Sequence, residues 1–220
     1  MLVSGKPLFY DESTLVFAKK NKIYLRQEDG SEVLLMALPV SLLKQMLMSI
    51  RILARLFRLD IYSSAIHGEN YYFCFDKKLF SFDKNLKKLS LEMSFNLGHG
   101  PLSFCSINSL EGFDGNVYFG DYFGNPNCHP VSIYRRVELG NWEKCYTFSD
   151  GLINHIHGLI EDSSNNCIWI LTGDFGDSFG IYKASYDFSE VEQVLVGDQI
   201  YRSCVAYPFA GGLLYATDTH

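Results

Sequence analysis

The chain has 220 residues, a formal charge of −6, a pI near 5.5, 15% aromatic residues and 20% charged ones. That length and aromatic content exclude a disordered chain and suit strands covered on both faces, while the acidic balance and thinly spread cations exclude a protein that tracks nucleic-acid phosphates. No apolar run of about eighteen residues is present, so no transmembrane helix is expected.

The opening segment MLVSGKPLFYDES has no charged stretch leading into an apolar one, so no secretory signal is expected and a cytoplasmic location is the default. The first strand pattern is TLVFA at 14–18, followed by Ile23-Tyr24 and a polar turn. Residues 39–60 then change period. Leu42, Leu43, Met46, Leu47, Ile50, Leu53, Ala54 and Phe57 recur at three- and four-residue steps, among Lys44, Arg51, Arg55 and Arg58. With Pro39 and Ser41 as a start, this predicts one inserted amphipathic helix. It either lies along a sheet flank with its arginines outward or docks on a protein or membrane surface.

Strand patterns resume with YYFCF (71–75) and Leu79-Phe80. Next come SFCSINSL (103–110), NVYFG (116–120), Ile133-Tyr134 and EKCYTF. NHIHGLI (154–160), CIWIL (167–171), Ile181-Tyr182 and EVEQVLV follow, and YRSCVAY (201–207) and LLYAT (213–217) come last. Six cysteines lie far apart without a C-x-x-C pair, which reads as separate thiols in a reducing compartment rather than a disulfide framework or zinc module.

The aliphatic–aromatic pair recurs. Tyr24, Phe80, Tyr134 and Tyr182 are 56, 54 and 48 residues apart, long enough for a four-stranded sheet and its connections. The fold expectation is an all-β propeller of four-stranded blades, about four blades plus a partial fifth. It forms a single domain over 1–220, with 39–60 inserted between the first two blades. A radial fold must bring its last blade against its first, so the chain is expected to be part of a longer reading frame or to close with another chain.

The turns after each pair carry an acid: Glu28, Asp83, Glu138 and Asp187. Gly30 and Gly140 hold the turn glycine, with Asn85 and Ser189 in the other copies. Ser81 and Ser185 precede two of the acids, and Trp142 follows one. This arrangement resembles the Asp-box (BNR) hairpin, S-x-D-x-G-x-T-W, of sialidase-like β-propellers. The resemblance implies the fold; in that family these boxes lie away from the active site. Sialidases hold a substrate carboxylate with three arginines and use a tyrosine nucleophile. No such set can be placed here, because Arg135 and Arg136 fall on an outer strand.

Chemistry is sought where propellers bind ligands, near the ends of inner strands. Asp76, Asp121, Asp174 and Asp218 each follow a second strand, so equivalent blades would set them round one face. They can meet a cation or sugar hydroxyls there, or cap their own loops. His155 and His157 stand two apart, which on a strand turns both rings to one side. With Asp174 or Asp177 they can form a His/His/Asp cation site, or simply line a polar channel. Arg202 can pair with a ligand carboxylate or with one of these acids. The loop GDYFGNPNCHP adds aromatics and His129.

The expected function is a carbohydrate-binding or glycan-associated module through Asp121, His129, His155, His157, Asp174, Asp177, Arg202 and Asp218. A glycoside hydrolase or lyase on the same scaffold and a protein-interaction platform using 39–60 are the alternatives. No cofactor is expected beyond a divalent cation at His155, His157 and Asp174, and no catalytic residue is assigned.

Overall fold

The structure, a computed structural model, describes residues 5–108, 110–174 and 179–217. It is almost entirely β. Strands β1 (Lys6–Asp11), β2 (Thr14–Lys19), β3 (Lys22–Arg26) and β4 (Glu32–Ala37) form an antiparallel sheet in chain order. Helices α1 (Leu42–Leu47) and α2 (Arg51–Leu56) precede a second such sheet of β5 (Ser64–His67), β6 (Asn70–Phe75), β7 (Lys78–Asp83) and β8 (Lys88–Ser94). The third sheet comprises β9 (Phe104–Ser106), β10 (Val117–Gly120), β11 (Val131–Glu138) and β12 (Asn141–Phe148). The fourth comprises β13 (His155–Asp162), β14 (Cys167–Gly173), β15 (Gly180–Ser185) and β16 (Glu190–Val196). A final pair, β17 (Ser203–Phe209) and β18 (Gly212–Thr217), begins a fifth. These are the propeller-type four-stranded units predicted from the period. The innermost strands β1 and β5 are additions, too short in apolar content to show in the pattern.

Contacts divide the chain into two compact units whose boundary falls between His99 and Gly100. In the first, β1 lies beside β5, and in the second β13 lies between β9 and β17, in contact with both. Within each unit, first strands of successive sheets therefore stand side by side, which is how propeller blades are set. Each unit has its own core, one around Val16, Ile23, Tyr71, Phe73 and Phe75, the other around Tyr118, Ile133, Phe148, Ile156 and Ile168. The five residues Tyr71 to Phe75 are all buried, as a strand covered on both faces requires.

The recurring aliphatic–aromatic pair has a structural meaning. In all four sheets the pairing to the outer strand shifts register between its two members, at Ile23/Tyr24, Leu79/Phe80, Ile133/Tyr134 and Ile181/Tyr182. Each outer strand therefore carries one extra residue opposite the pair, a β-bulge that increases local twist. The acids of the following turns have several roles. Asp83 Oδ1 accepts from Leu86 N at 2.8 Å, whereas in the first turn it is Asp29, not Glu28, that accepts from Ser31 N at 2.8 Å. Asp187 instead receives Arg135 Nη1 at 2.7 Å and Tyr118 Oη at 3.3 Å from the neighbouring sheet.

The insertion differs from the single helix predicted over 39–60. Ser41 caps α1, but Ser49 Oγ turns back to Gln45 O at 3.2 Å, and Met48 is buried, so the chain leaves the helical path before α2 restarts at an extended Ile50. Only part of the predicted apolar stripe packs: Ala54 is buried and Leu47 rests on the core, but Leu42, Leu43 and Met46 are 81%, 68% and 70% exposed, and burial falls instead on Met48, Leu59 and Ile61. Among the described residues, no helix is long and apolar enough to cross a membrane.

Candidate metal centre

Strand β13 pairs with β14 so that His155 faces Gly173 and Ile156 faces Thr172, but the next pairing is Gly158 with Leu171. His157 is thus the extra residue of a bulge. Bulges re-aim one side chain, and here the bulge turns the His157 ring towards its neighbour. The two Nε2 atoms lie 3.1 Å apart. Gly173, which ends β14, leaves the room: a Cβ there would stand 2.3 Å from His157 Cε1. The next residue, Asp174, puts Oδ1 3.0 Å from His157 Nε2 and Oδ2 3.1 Å from His155 Nε2.

The backbone sets the tautomers. His155 Nδ1 lies 3.1 Å from Phe123 O, and His157 Nδ1 lies 2.9 Å from Ser203 O. A carbonyl oxygen only accepts, so each Nδ1 carries a hydrogen, and in the neutral ring this leaves a lone pair on Nε2. Both rings are buried. Burial pushes the His155 imidazole below its ordinary pKa, with the Asp174 carboxylate pulling the other way, and keeps it in this lone-pair form.

Two lone pairs and a carboxylate therefore converge, and all three are acceptors. Such a group can close on a cation, either a metal ion or a proton carried by one Nε2. Ligand atoms bound at about 2.0–2.1 Å are about 3.3 Å apart in a tetrahedral shell and about 2.9 Å apart at right angles; the spacings here, 3.0 to 3.1 Å, fall between. Carbonyls holding the far nitrogens are the outer partners that orient histidine ligands.

The surroundings are partly polar. Arg202 Nε lies 3.4 Å from Asp174 Oδ1, at ion-pair rather than hydrogen-bond geometry. Asn154 Oδ1 accepts from Asp174 N at 3.2 Å, and its amide donates to Asn125 O at 3.0 Å. The Tyr122 ring stands over both imidazoles, with centroids 4.5 Å and 6.0 Å away. Cys204, the bulged residue of β17, brings Sγ within 3.5 Å of His157 Nδ1.

Of the eight residues predicted for the site, His155, His157, Asp174 and Arg202 come together. Asp121 does not join them: its Oδ2 accepts from Ser132 N at 3.0 Å, which is the loop-capping alternative, and burial pushes its carboxyl pKa up. His129 is exposed beside Asp150 at 3.6 Å. Asp177 and Asp218 lie outside the described residues. Sequence reasoning missed Gly173, Asn154 and the ring position of Tyr122. The first two adjoin predicted ligands in the chain, which was the available signal.

No protein-family model matches the chain, and no curated protein matches it at a significant level. Solved structures do match. The extracellular domain of the hybrid two-component system protein BT4673 of B. thetaiotaomicron is similar at TM-score 0.61 and 16% identity, over 96% of this chain and 24% of that one. Virginiamycin B lyase from Staphylococcus aureus is similar at 0.60 and 15%, over 93% and 59%. Luciferin-regenerating enzyme is similar at 0.54 and 14%, over 92% and 64%. The chain spans about a quarter of the first and about three fifths of the other two. The likeness is one of fold. These neighbours are propeller-like proteins of mixed function.

Proposed function

We propose that the chain is a cation-dependent ligand-binding part of a β-propeller. In this reading His155, His157 and Asp174 chelate a divalent cation, and Arg202 helps to receive an acidic oligosaccharide. The observation that carries it is the convergence of two Nδ1-protonated imidazoles and one carboxylate as acceptors alone. A mixed nitrogen and oxygen donor set suits zinc or manganese better than calcium. Sugar hydroxyls and a uronate carboxylate would complete the cation's shell, and the Arg202 fork matches a carboxylate. In the same reading the turns that resemble Asp-boxes belong to a sialidase-like propeller, and the separate free thiols to a reducing, cytoplasmic setting.

A lyase is the second reading, favoured by one observation. Hydrolysis of a glycosidic bond uses two carboxylates across it, whereas among the described residues the cluster holds one, Asp174. Elimination from a uronate needs its carboxylate neutralised and a base nearby, and Tyr122 is placed beside the histidines. A protein- or membrane-docking role for 39–60 is supported by the exposure of Leu42, Ile52 and Leu56.

Chelator-treated protein titrated with zinc or manganese tests the first reading. A cation at a hundredfold excess over its dissociation constant adds about 2.7 kcal/mol of stability, a rise of several degrees in Tm for a chain of this size. His157→Ala and Asp174→Asn are expected to abolish that rise. A thermal melt unmoved by either ion would overturn the proposal. Ultraviolet absorbance of unsaturated products from a polyuronate panel separates lyase from binding module.

A further inference from the structure

The first unit contains a second constellation, unrelated to the histidine centre. A cavity of about 150 Å³ is lined by Lys44, Arg58, Lys77 and His99 together with Leu47, Phe57, Leu59 and Asp76. Lys44 projects from α1, Arg58 follows α2, and Lys77 sits in the turn between β6 and β7. The helical insertion and the second sheet thus build the cavity jointly. Its one carboxylate is already engaged, since both Asp76 oxygens are held by Lys44 Nζ, at 2.5 and 2.6 Å. Arg58 and Lys77 have no carboxylate partner among the described residues.

Two unpartnered cations in an acidic protein, facing one cavity, repel each other unless an anion lies between them. Their field reaches the cavity interior. His99 is held below the ordinary imidazole pKa, first by burial and then by Arg58 and Lys77. The remaining lining is apolar, its Phe57 is exposed, and α1 exposes Leu43 and Met46 as well. A site that combines exposed cations with an apolar lining discriminates by both features.

We propose that this cavity binds a phosphate ester with an apolar tail, its phosphate held by Arg58 and Lys77 and its tail lying along the exposed apolar residues of α1 and α2. The guanidinium offers two parallel N–H groups to two phosphate oxygens, and the ammonium of Lys77 supplies a point charge. The ester can come from solution or from a phospholipid in a bilayer; the chemistry recognised is the same.

Calorimetric titration of the full chain with hexyl phosphate, and with inorganic phosphate for comparison, tests this. Saturable binding of hexyl phosphate is expected, tighter than that of the inorganic ion because the tail is also buried. Arg58→Ala and Lys77→Ala should each weaken it about tenfold, the effect of losing one hydrogen bond to a charged group. Their circular dichroism should be unchanged, and Arg58→Lys should retain part of the affinity. Bound phosphate should also raise the His99 pKa followed by NMR. Flotation with phosphatidylcholine vesicles carrying phosphatidic acid, lost in the same two variants, would identify a lipid as the source; no flotation with intact hexyl phosphate binding would identify a soluble ester. Absence of saturable hexyl phosphate binding, or undiminished binding by the Arg58→Ala/Lys77→Ala double variant, overturns the proposal.

Discussion

The corner that follows the second strand can be compared between two sheets. In the second sheet it is Phe75-Asp76, in the fourth Gly173-Asp174. Phe75 is fully buried in the core of its unit, and Asp76 turns out to a lysine of the helical insertion. Gly173 has no side chain, the bulged His157 fills its place, and Asp174 meets two imidazoles. The third sheet is intermediate: Gly120 makes room for Ile156 rather than a histidine, and Asp121 closes its own loop onto Ser132. Equivalent acids at equivalent corners thus become an ion pair, a loop cap and a candidate cation ligand. The fate of each is set by what the adjoining residue and the inner strand admit. The repeat supplies the carboxylate; the local departures from the repeat decide its chemistry.

The sharpest way to break this contrast is Gly173→Ala. A Cβ 2.3 Å from Cε1 of a ring that is buried and hydrogen-bonded to Ser203 O cannot be relieved by a flexible side chain. Overpacking with partial loss of that bond is expected to destabilise the chain by about 2–3 kcal/mol. Chemical denaturation measures it, and zinc titration of the folded variant should show no Tm rise. The control is Gly124→Ala, where an added Cβ meets nothing within 4 Å; it should leave both quantities unchanged.

Much of the architecture was legible because its signal is periodic. Tyr24, Phe80, Tyr134 and Tyr182 mark third strands at near-constant spacing, and every second strand coincides with an apolar run. Strands β1 and β5 escaped because Lys6–Asp11 and Ser64–His67 are half-buried and mix polar with apolar residues, leaving no run to find. The break between α1 and α2 escaped because helical periodicity runs on from Leu47 to Ile50, while the break goes with the burial of Met48 and the Ser49 side-chain bond to Gln45 O. At the site, the spacing of His155 and His157 pointed to a common side for a simple strand, yet the convergence depends on the bulge at His157 and on carbonyls from Phe123 and Ser203. Bulges follow from pairing between strands, which no local pattern encodes.

A smaller effect separates the two ends of β13. His155 and His157 begin it, while Asp162 ends it as a structural acid, accepting from Asn165 N at 3.0 Å, Asn165 Nδ2 at 2.8 Å and Trp169 Nε1 at 2.8 Å. Burial alone would raise its pKa, but these donors outweigh burial and hold it below the ordinary aspartate value. A depressed native pKa means that the unfolded chain binds more protons, so this contribution is complete above the unfolded value of about 3.9 and is lost as pH falls through the native one. Asp162→Ala is expected to cost about 1–3 kcal/mol near neutrality, measured by denaturant melts, and to flatten the acid limb of stability against pH. Cation binding at the other end of the strand should persist.

The smallest change in stability is expected at the other corner, in Asp76→Asn. Its pair with Lys44 is part exposed, the two side chains being 26% and 39% accessible, so solvent screening leaves the pair about 0.5 kcal/mol or less. The consequence lies elsewhere. Removing the one carboxylate of the cavity frees Lys44 Nζ to turn towards Arg58 and Lys77, giving three cations for one phosphate where the native protein offers two. Hexyl phosphate should therefore bind several-fold more tightly to Asp76→Asn than to the native chain, with a steeper decline as salt is added. The corresponding Asp174→Asn change in the fourth sheet should leave phosphate binding untouched and remove the cation response. Opposite outcomes from the same substitution at equivalent corners would show that neighbours, not position in the repeat, assign the role of each acid.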